Sequence, residues 1–256
     1  MNSYHDICYE CVLEGMTSIS ALVHGIESGH NSRKILAVLV DTDKKRSKYR
    51  EIGYLKSMAA IHNYQLLFVQ SMDIESVALG TTHGGIVALC SERVYMDCSD
   101  VPADGFWVIP DGIEDPFNLG FTLRSLYAAG VDGVILPPQN RLCAAGIVAK
   151  SSAGTSELLD IRVCDSEAAI EAFSNAGYKI VCAGIRDSVS IYQADLKKPL
   201  LLVVGGEKRG ISRNILDRAD QIVRIDYGRQ FNGSLSAASA TAIIAFEVLH
   251  QNQSEQ

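Results

Sequence analysis

The sequence predicts an α/β fold, with a C-terminal domain built on a parallel sheet and a smaller α/β domain before it. Short runs rich in Val, Ile and Leu alternate with longer segments whose apolar residues recur at helical spacing. Apolar residues make up 47% of the 256 residues and charged residues 21%, as in a globular protein with a sizeable core. A polar segment around Pro102 interrupts the alternation, so we expect a linker at residues 99–105 between domains at residues 1–98 and 106–256.

The smaller domain is expected to begin with a helix. Residues 1–29, including Cys11–Glu14, have apolar residues at helical spacing, and Gly29 ends the pattern. Ile35–Val40 is a continuous apolar run, which predicts a buried strand of the kind found in parallel sheets. Further strands are predicted at Gln65–Val69 and after His83, and further helices at Tyr54–His62 and Ile74–Leu79.

The C-terminal domain repeats the alternation, so we expect its strands to form one parallel sheet covered by helices on both faces. The predicted strands are Phe106–Ile109, Val134–Leu136, Lys179–Cys182, Leu200–Val204 and Ile222–Ile225. The predicted helices are Leu119–Ala129, Arg141–Lys150, Ser166–Ala176, Ser212–Ala219 and Ser236–His250.

Charge and cysteine content limit the possible functions and locations. The chain carries 23 Lys and Arg against 30 Asp and Glu, so its net charge is −7 and any RNA binding must depend on a local basic patch. Seven cysteines, several of them in apolar runs, predict reduced thiols, and we expect no metal site. The N-terminus lacks the pattern of a secretory signal and no run has transmembrane length, so we expect a cytoplasmic protein.

The first stretch with a chemical signature follows the strand Phe106–Ile109. A polar loop leads into a helix at Asn118, whose side chain is a good N-cap. Arg124 lies one turn beyond Gly120 on the same face, and the missing Cβ of Gly120 leaves room beside the guanidinium. Taken alone, the pattern favours an ordinary strand-to-helix turn with an exposed arginine.

Two later stretches favour a functional interpretation. The strand Leu200–Val204 runs into a loop, Gly205–Gly210, that contains three glycines and the carboxylate of Glu207. Open α/β sheets bind ligands in loops of this kind, beyond the carboxyl ends of their strands. The stretch Asn232–Glu247 leads into the predicted helix Ser236–His250, whose first half is made almost entirely of small residues that permit close approach of a ligand or of another helix. The sequence contains no GxxxxGK[ST] or GxGxxG nucleotide-binding motif and no GxSxG serine-hydrolase motif. A general phosphate-binding enzyme is therefore the least favoured of the functions considered.

In this order and spacing, the three stretches resemble the motifs of the SpoU (TrmH-like) RNA ribose methyltransferases of the SPOUT superfamily. DPFNLGFTLRSLYAAG is similar to the first motif, GGEKRGIS to the second and NGSLSAASATAI to the third. Ser151–Gly154 is similar to a family segment between the first two motifs, and the resemblance covers roughly residues 106–250. Residues 1–98 more weakly resemble the ribosomal-protein-like substrate domain that many members carry.

The resemblance implies a trefoil-knotted domain that binds S-adenosylmethionine, forms a homodimer and methylates a ribose 2′-hydroxyl of RNA, more plausibly ribosomal than transfer RNA. It implies catalytic positions at Asn118, Arg124, Glu207, Ser234 and Ser236, and cofactor-binding positions at Ala183, Gly184, Gly205, Gly210, Ile225 and Leu235. Arg124 is expected to bind a phosphate and orient the hydroxyl, because a guanidinium stays protonated and is a poor general base. Glu207 is expected to orient Arg124 or Asn118.

Two residues depart from the family pattern. Ser236 stands where the third motif usually has asparagine, and Asp226 stands where a proline usually follows the strand isoleucine. These departures motivate a second hypothesis, a catalytically silent RNA-binding protein on the same scaffold, whereas Arg124 and Glu207 favour the enzyme.

The smaller domain contains the densest basic run of the chain, which we expect to face RNA. The side chains assigned to this patch are Arg33, Lys34, Lys44, Lys45, Arg46, Lys48 and Arg50. A solvated loop at the start of a helix produces the same run of charges, and the run by itself somewhat favours that interpretation over phosphate binding.

Overall fold

The computed structural model describes residues 4–138, 144–206, 209–230 and 232–253. The strands are β1 Cys11–Glu14, β2 Ile35–Asp41, β3 Gln65–Val69, β4 Ile86–Cys90, β5 Phe106–Asp111, β6 Gly133–Leu136, β7 Asp160–Val163, β8 Lys179–Ala183, β9 Val189–Ser190, β10 Leu200–Gly205 and β11 Gln221–Arg224. The helices are α1 Gly15–Glu27, α2 Tyr49–His62, α3 Ser71–Val77, α4 Pro116–Ala128, α5 Ala145–Ser151, α6 Ser166–Asn175, α7 Arg213–Leu216 and α8 Ala237–Gln253. Within the described ranges, none of these helices is both long and apolar enough to cross a bilayer.

The described residues form two compact units. The N-terminal unit consists of residues 4–94 together with 144–158, and the C-terminal unit contains the remainder. Helix α5 therefore packs in the N-terminal unit, where Ala149 belongs to a core formed with side chains of β1, β2 and β4. The predicted division into a substrate domain and a catalytic domain concerns what each part does, and it stays a prediction.

A mixed sheet supports the N-terminal unit, with strand order β1-β4-β2-β3. Strands β2 and β3 pair in parallel, whereas β1 and β2 both pair antiparallel with β4. The helix expected at Cys11–Glu14 is wrong, because these residues form β1 and Gly15 follows with φ of +76°. All four residues of β1 are buried, and a strand covered on both faces lacks the alternation that distinguishes it from a helix.

The parallel sheet predicted for the C-terminal unit is confirmed. Its strand order is β7-β6-β5-β10-β8-β11-β9, and the paired neighbours all run parallel. Strands β7 and β9 are absent from the prediction because neither contains an apolar run: β7 carries Asp160 and Arg162, and β9 is two residues long. The trefoil knot that the resemblance implies stays a prediction.

Helix α4 begins at Pro116, three residues before the predicted start. Its N-cap is Asp115, whose carboxylate accepts a hydrogen bond from the backbone N–H of Asn118 at 2.8 Å. The prediction that Asn118 caps this helix is therefore wrong. Asp115 and Pro116 together form the stronger start signal, because proline suits the first position of a helix and aspartate suits the position before it.

Burial keeps several thiols protonated. It raises the pKa of Cys98 and Cys182 to about 12 and that of Cys11 to about 11. The cysteines within the described ranges are all free thiols, as the sequence predicts.

Candidate active site and RNA-binding surface

A pocket of about 590 Å³ lies in the C-terminal unit, beyond the carboxyl ends of three neighbouring strands, β10, β8 and β11. Parallel strands end at the same edge of a sheet, and open α/β sheets bind ligands at that edge. The walls come mainly from residues 183–185, 204–206, 210–211 and 223–227, and from residues 233–244 around the start of α8. Segments far apart in the sequence therefore meet at one site.

Backbone atoms rather than side chains form the wall where the loop after β10 meets the loop after β5. A Cβ at Gly206 would lie 2.1 Å from the carbonyl oxygen of Gly112, and a Cβ at Gly205 would lie 2.5 Å from the carbonyl carbon of Gly210. The N–H of Gly210 also donates to the carbonyl oxygen of Gly206 at 3.0 Å. No side chain fits at positions 205 and 206, so these glycines serve loop packing as well as access to the pocket.

Helix α8 begins at the pocket. The hydroxyl of Ser236 accepts a hydrogen bond from the backbone N–H of Ser239 at 3.1 Å, which makes Ser236 the N-cap. Ala237, Ala240 and Ile244 then line the pocket at helical spacing. The small residues of the third motif therefore form a shallow wall.

The same helix packs against α4. The hydroxyl of Thr241 on α8 donates to the carbonyl oxygen of Ala237 at 2.7 Å, and that of Thr122 on α4 donates to the carbonyl oxygen of Asn118 at 2.8 Å. Both threonines are fully buried, and each satisfies its hydroxyl within its own helix. The first motif, on α4, is thus held against the helix that carries the third.

One carboxylate in the pocket wall is ionised at neutral pH. Hydrogen bonds from the side chains of Ser190 and Arg224 hold the pKa of Asp226 below its usual range. The Nε atom of Arg224 lies 2.9 Å from Oδ1 of Asp226. Nearby, the backbone N–H of Leu235 donates to the hydroxyl of Tyr227 at 3.2 Å. Arg224 lines the pocket too, so the wall combines small and apolar residues with an ion pair.

Every position predicted to bind a cofactor lines this pocket: Ala183, Gly184, Gly205, Gly210, Ile225 and Leu235. Ser234 lines it as well, and Ser236 caps the helix next to it. Asn118, half-buried, and Arg124, exposed, lie on α4 and are not among the lining residues of the described chain. Glu207 lies outside the described residues.

Tyr227 and Ile244 also line the pocket and are not among the predicted site residues. Tyr227 lies two residues beyond Ile225, a predicted cofactor-binding position in the same loop. Its place next to Ile225 in the sequence was therefore the signal that could have identified it. Ile244 lies two helical turns beyond Ala237, a spacing that identifies it only once the orientation of the helix is known.

A basic surface lies in the N-terminal unit, at the carboxyl ends of β2 and β3. Lys44, Lys45, Arg46 and Arg50 are exposed there, and Lys48 is partly exposed. We call residues 44–50 the basic edge. Lys34 is exposed but precedes β2, so this seven-residue strand places it about 20 Å from the basic edge.

The assignment of Arg33 to this patch is wrong. Its side chain is only 3% exposed, and its Nε atom lies 3.1 Å from a carboxylate oxygen of Glu157. Its Nη1 atom donates to the carbonyl oxygen of Ser91 at 2.9 Å. Arg33 is a core residue, because α5 and the turn after it bring Glu157 into the N-terminal unit.

Known proteins resemble this chain in sequence. Residues 105–246 match the model of the SpoU rRNA Methylase family. A putative TrmH family tRNA/rRNA methyltransferase from Staphylococcus saprophyticus is 31% identical over 90% of this chain and 93% of its own length. The 23S rRNA (guanosine-2′-O-)-methyltransferase RlmB of Shewanella oneidensis is 32% identical over 71% of this chain and 76% of its own.

Solved structures share the fold. An AdoMet-bound rRNA methyltransferase from Sinorhizobium meliloti superposes with a TM-score of 0.78 at 22% identity, covering 93% of this chain and 86% of that one. The SpoU methyltransferase AviRb from Streptomyces viridochromogenes, in complex with AdoMet, superposes with a TM-score of 0.73 at 21% identity, covering 94% and 89%.

Proposed function

Because the chain belongs to the SpoU rRNA methylase family, we propose that it transfers a methyl group from S-adenosylmethionine to a ribose 2′-hydroxyl of RNA. The observation that carries the proposal is the pocket, where six positions expected to bind the cofactor come together from separate segments. The relative from Shewanella oneidensis is named as a guanosine-2′-O-methyltransferase of 23S rRNA, and two proteins that share the fold are described as bound to AdoMet.

The pocket suits S-adenosylmethionine. Its volume of about 590 Å³ accommodates a nucleoside-sized ligand. Gly184, Gly205 and Gly210 leave backbone groups within reach, and Ile225 and Leu235 provide apolar contact. The bound cofactor supplies an electrophilic methyl group.

The residues of this chain would bind and align the ribose. Aligning the 2′-oxygen with the methyl carbon is a large part of catalysis in a methyl transfer. Arg124 would bind a phosphate next to the target and orient the 2′-hydroxyl, since its guanidinium stays protonated. Asn118 and Ser234 can donate and accept hydrogen bonds to the ribose. Glu207 would orient Arg124 or Asn118.

The alternative is a catalytically silent RNA-binding protein, which the departures at Ser236 and Asp226 motivate. The N-cap of α8 gives Ser236 a structural role that asparagine fills equally well. The presence of serine is therefore compatible with an active enzyme. A methyl-transfer assay decides between the active enzyme and the silent RNA-binding protein.

Ribosomal RNA is the substrate we favour, with the basic edge of the N-terminal unit as a contact surface. Its five cations can hold phosphates although the whole chain has a net charge of −7. A ribosomal RNA substrate and buried, protonated thiols both fit a cytoplasmic location.

A homodimer formed through α4 and α8 would cover several exposed apolar side chains on these helices. Those side chains are Phe117, Phe121, Tyr127, Ile243 and Phe246. Phe117 and Phe121 lie one turn apart on α4, Ile243 and Phe246 lie one turn apart on α8, and the two helices pack together. Clustered exposed apolar side chains usually mark a protein–protein interface.

Titration calorimetry with S-adenosylmethionine tests the pocket. Leu235→Trp should abolish binding, because the larger side chain fills the space that the cofactor needs. Met72→Trp, which adds the same ring at an exposed position of the N-terminal unit, should bind as the wild type does. Equal binding by the wild type and Leu235→Trp would show that the cofactor site lies elsewhere.

Transfer of a radiolabelled methyl group to ribosomal RNA tests the reaction. We expect label on a ribose 2′-oxygen with the wild type and a loss of at least a hundredfold with Arg124→Ala. Cofactor binding without methyl transfer to ribosomal or transfer RNA would favour the silent RNA-binding protein.

A further inference from the structure

We propose that Tyr49 is a stacking platform for an unpaired RNA base and that the surrounding cations bind the adjacent phosphates. The N-terminal unit would then recognise a single-stranded segment of the RNA. This inference rests on the proposed function for its ligand class, and it specifies which part of the RNA this unit binds.

The tyrosine is placed to receive a base. Tyr49 is the first residue of α2, and it is 63% exposed. The Nε atom of Arg50 donates to its hydroxyl oxygen at 2.9 Å, and the guanidinium carbon lies 5.7 Å from the ring centroid. A cation thus accompanies the ring, and both aromatic rings and guanidinium planes stack on bases in single-stranded RNA complexes.

The neighbouring cations are positioned by their own contacts. The Nζ atom of Lys45 lies 4.3 Å from the ring centroid of Phe68, which is the next-to-last residue of β3. The Nζ atom of Lys48 lies 3.3 Å from a carboxylate oxygen of Glu51. Lys45 lies close over the ring of Phe68, which is only 36% exposed, so that ring serves to hold a cation. The guanidinium of Arg50 lies farther from the ring of Tyr49, and at 63% exposure this ring still offers surface on which a base can stack.

Charge in this segment differs in sign from that of the whole protein. Residues 42–51 carry five cationic side chains against the two carboxylates of Asp43 and Glu51, although the chain has a net charge of −7. A local positive surface on an acidic protein attracts a polyanion to one place. An acidic protein partner would also be attracted, but it would not require the aromatic face.

A buried carboxylate holds this surface in shape. Asp41, 5% exposed, accepts hydrogen bonds from the N–H of Asp43 at 2.9 Å and from the hydroxyl of Ser71 at 2.7 Å. Its own N–H donates to the carbonyl oxygen of Gly85 at 2.9 Å. The segment after β2, the start of α3 and the loop before β4 are thereby fixed to one another. A preformed surface loses little conformational entropy on binding.

Only an unpaired base can use this platform. In an A-form duplex the faces of the bases are inside the stack, so a duplex can contact the cations but not the ring of Tyr49. Binding of single-stranded RNA should therefore depend on Tyr49, whereas binding of duplex RNA should not.

The test measures fluorescence anisotropy of the full chain with a labelled single-stranded oligoribonucleotide and with the duplex of the same sequence. Tyr49→Ala should weaken binding of the single strand about tenfold and leave duplex binding unchanged. Tyr49→Phe should retain affinity, because it keeps the ring. Ile61→Ala is the matched control, since Ile61 lies on the same helix and is 65% exposed.

Salt dependence separates stacking from phosphate contacts. Tyr49→Ala should leave the slope of log affinity against log salt unchanged, whereas Lys44→Glu with Arg46→Glu should flatten it. With 2-aminopurine in the oligonucleotide, the wild type and Tyr49→Phe should change its fluorescence on binding and Tyr49→Ala should not.

Three results would overturn the inference: no binding of the single strand by the wild type, no effect of Tyr49→Ala, or an equal effect on the duplex. In each of these cases the proposed methyltransferase activity is tested separately, by cofactor calorimetry and by the methyl-transfer assay. Conversely, a Tyr49-dependent single-strand site in a protein that transfers no methyl group would uphold the stacking site and refute the enzyme.

Discussion

Arg33 and Arg46 come from the same basic part of the sequence but serve different purposes. Arg33 is buried against Glu157, a residue 124 positions later in the chain, and Arg46 is exposed. Asn31 adds a second hydrogen bond to the same carboxylate, at 2.7 Å. Charge density in the sequence cannot separate the two arginines, because burial depends on which distant segment packs over each one.

Glu157→Gln should lower the free energy of unfolding by about 3 kcal/mol, because it removes the carboxylate charge that faces the buried guanidinium of Arg33. Urea unfolding followed by circular dichroism measures the change. Asp217→Asn breaks the exposed pair with Arg213 and should cost less than about 1 kcal/mol. Similar losses from the two variants would mean that the Arg33 pair contributes no more than a surface pair.

Among the elements, α8 joins a packing role to a binding role. Its first turns line the pocket with small side chains, and its buried face packs against α4. Ser236 stands at the junction: it caps the helix, and it occupies a position that the family resemblance connects with catalysis. Stability and methyl transfer must therefore be measured together to learn what this residue does.

Ser236→Ala should lower the free energy of unfolding by about 1 kcal/mol, since the N–H of Ser239 loses its acceptor. Ser236→Asn should keep the stability of the wild type, because asparagine caps equally well, and should keep methyl transfer. Thermal unfolding and the radiolabel assay provide the two readouts. Methyl transfer lost in the asparagine variant at unchanged stability would contradict this and assign the serine hydroxyl a direct part in the reaction.

For the molecule as a whole, the exposed aromatic residues of α4 and α8 are the surface that a second copy would cover in the proposed dimer. Phe121 and Phe246 lie on helices that already pack against each other. A second copy covering this surface would bury the apolar area and support the two helices that carry the first and third motifs.

Phe121→Glu combined with Phe246→Glu should convert a dimer into a monomer, because it would place four carboxylates in one apolar interface. Light scattering coupled to size-exclusion chromatography measures the mass. Met96→Glu places the same charge at an exposed apolar position outside both helices and should remain dimeric. A monomeric wild type, or a double variant that stays dimeric, would exclude this interface.

The predictions that held were those with a local cause. Leu200–Val204 is apolar throughout and is bounded by glycine, so it reads as a buried strand wherever it sits in a sheet. The predictions that failed concerned choices that local sequence leaves open. Cys11–Glu14 is apolar enough for a helix or a strand, and its pairing with β4 selects the strand.

The sequence by itself determined the class of fold, because hydrophobic periodicity and turn residues act over short distances along the chain. It also carried the three motifs whose residues and order resemble those of the family. Only the tertiary structure decided which positions share the pocket, that Arg33 belongs to a core, and that Tyr49 lies exposed among cations. These outcomes depend on contacts between residues far apart in the chain. Such contacts are set by the packing of whole elements, which no local pattern encodes.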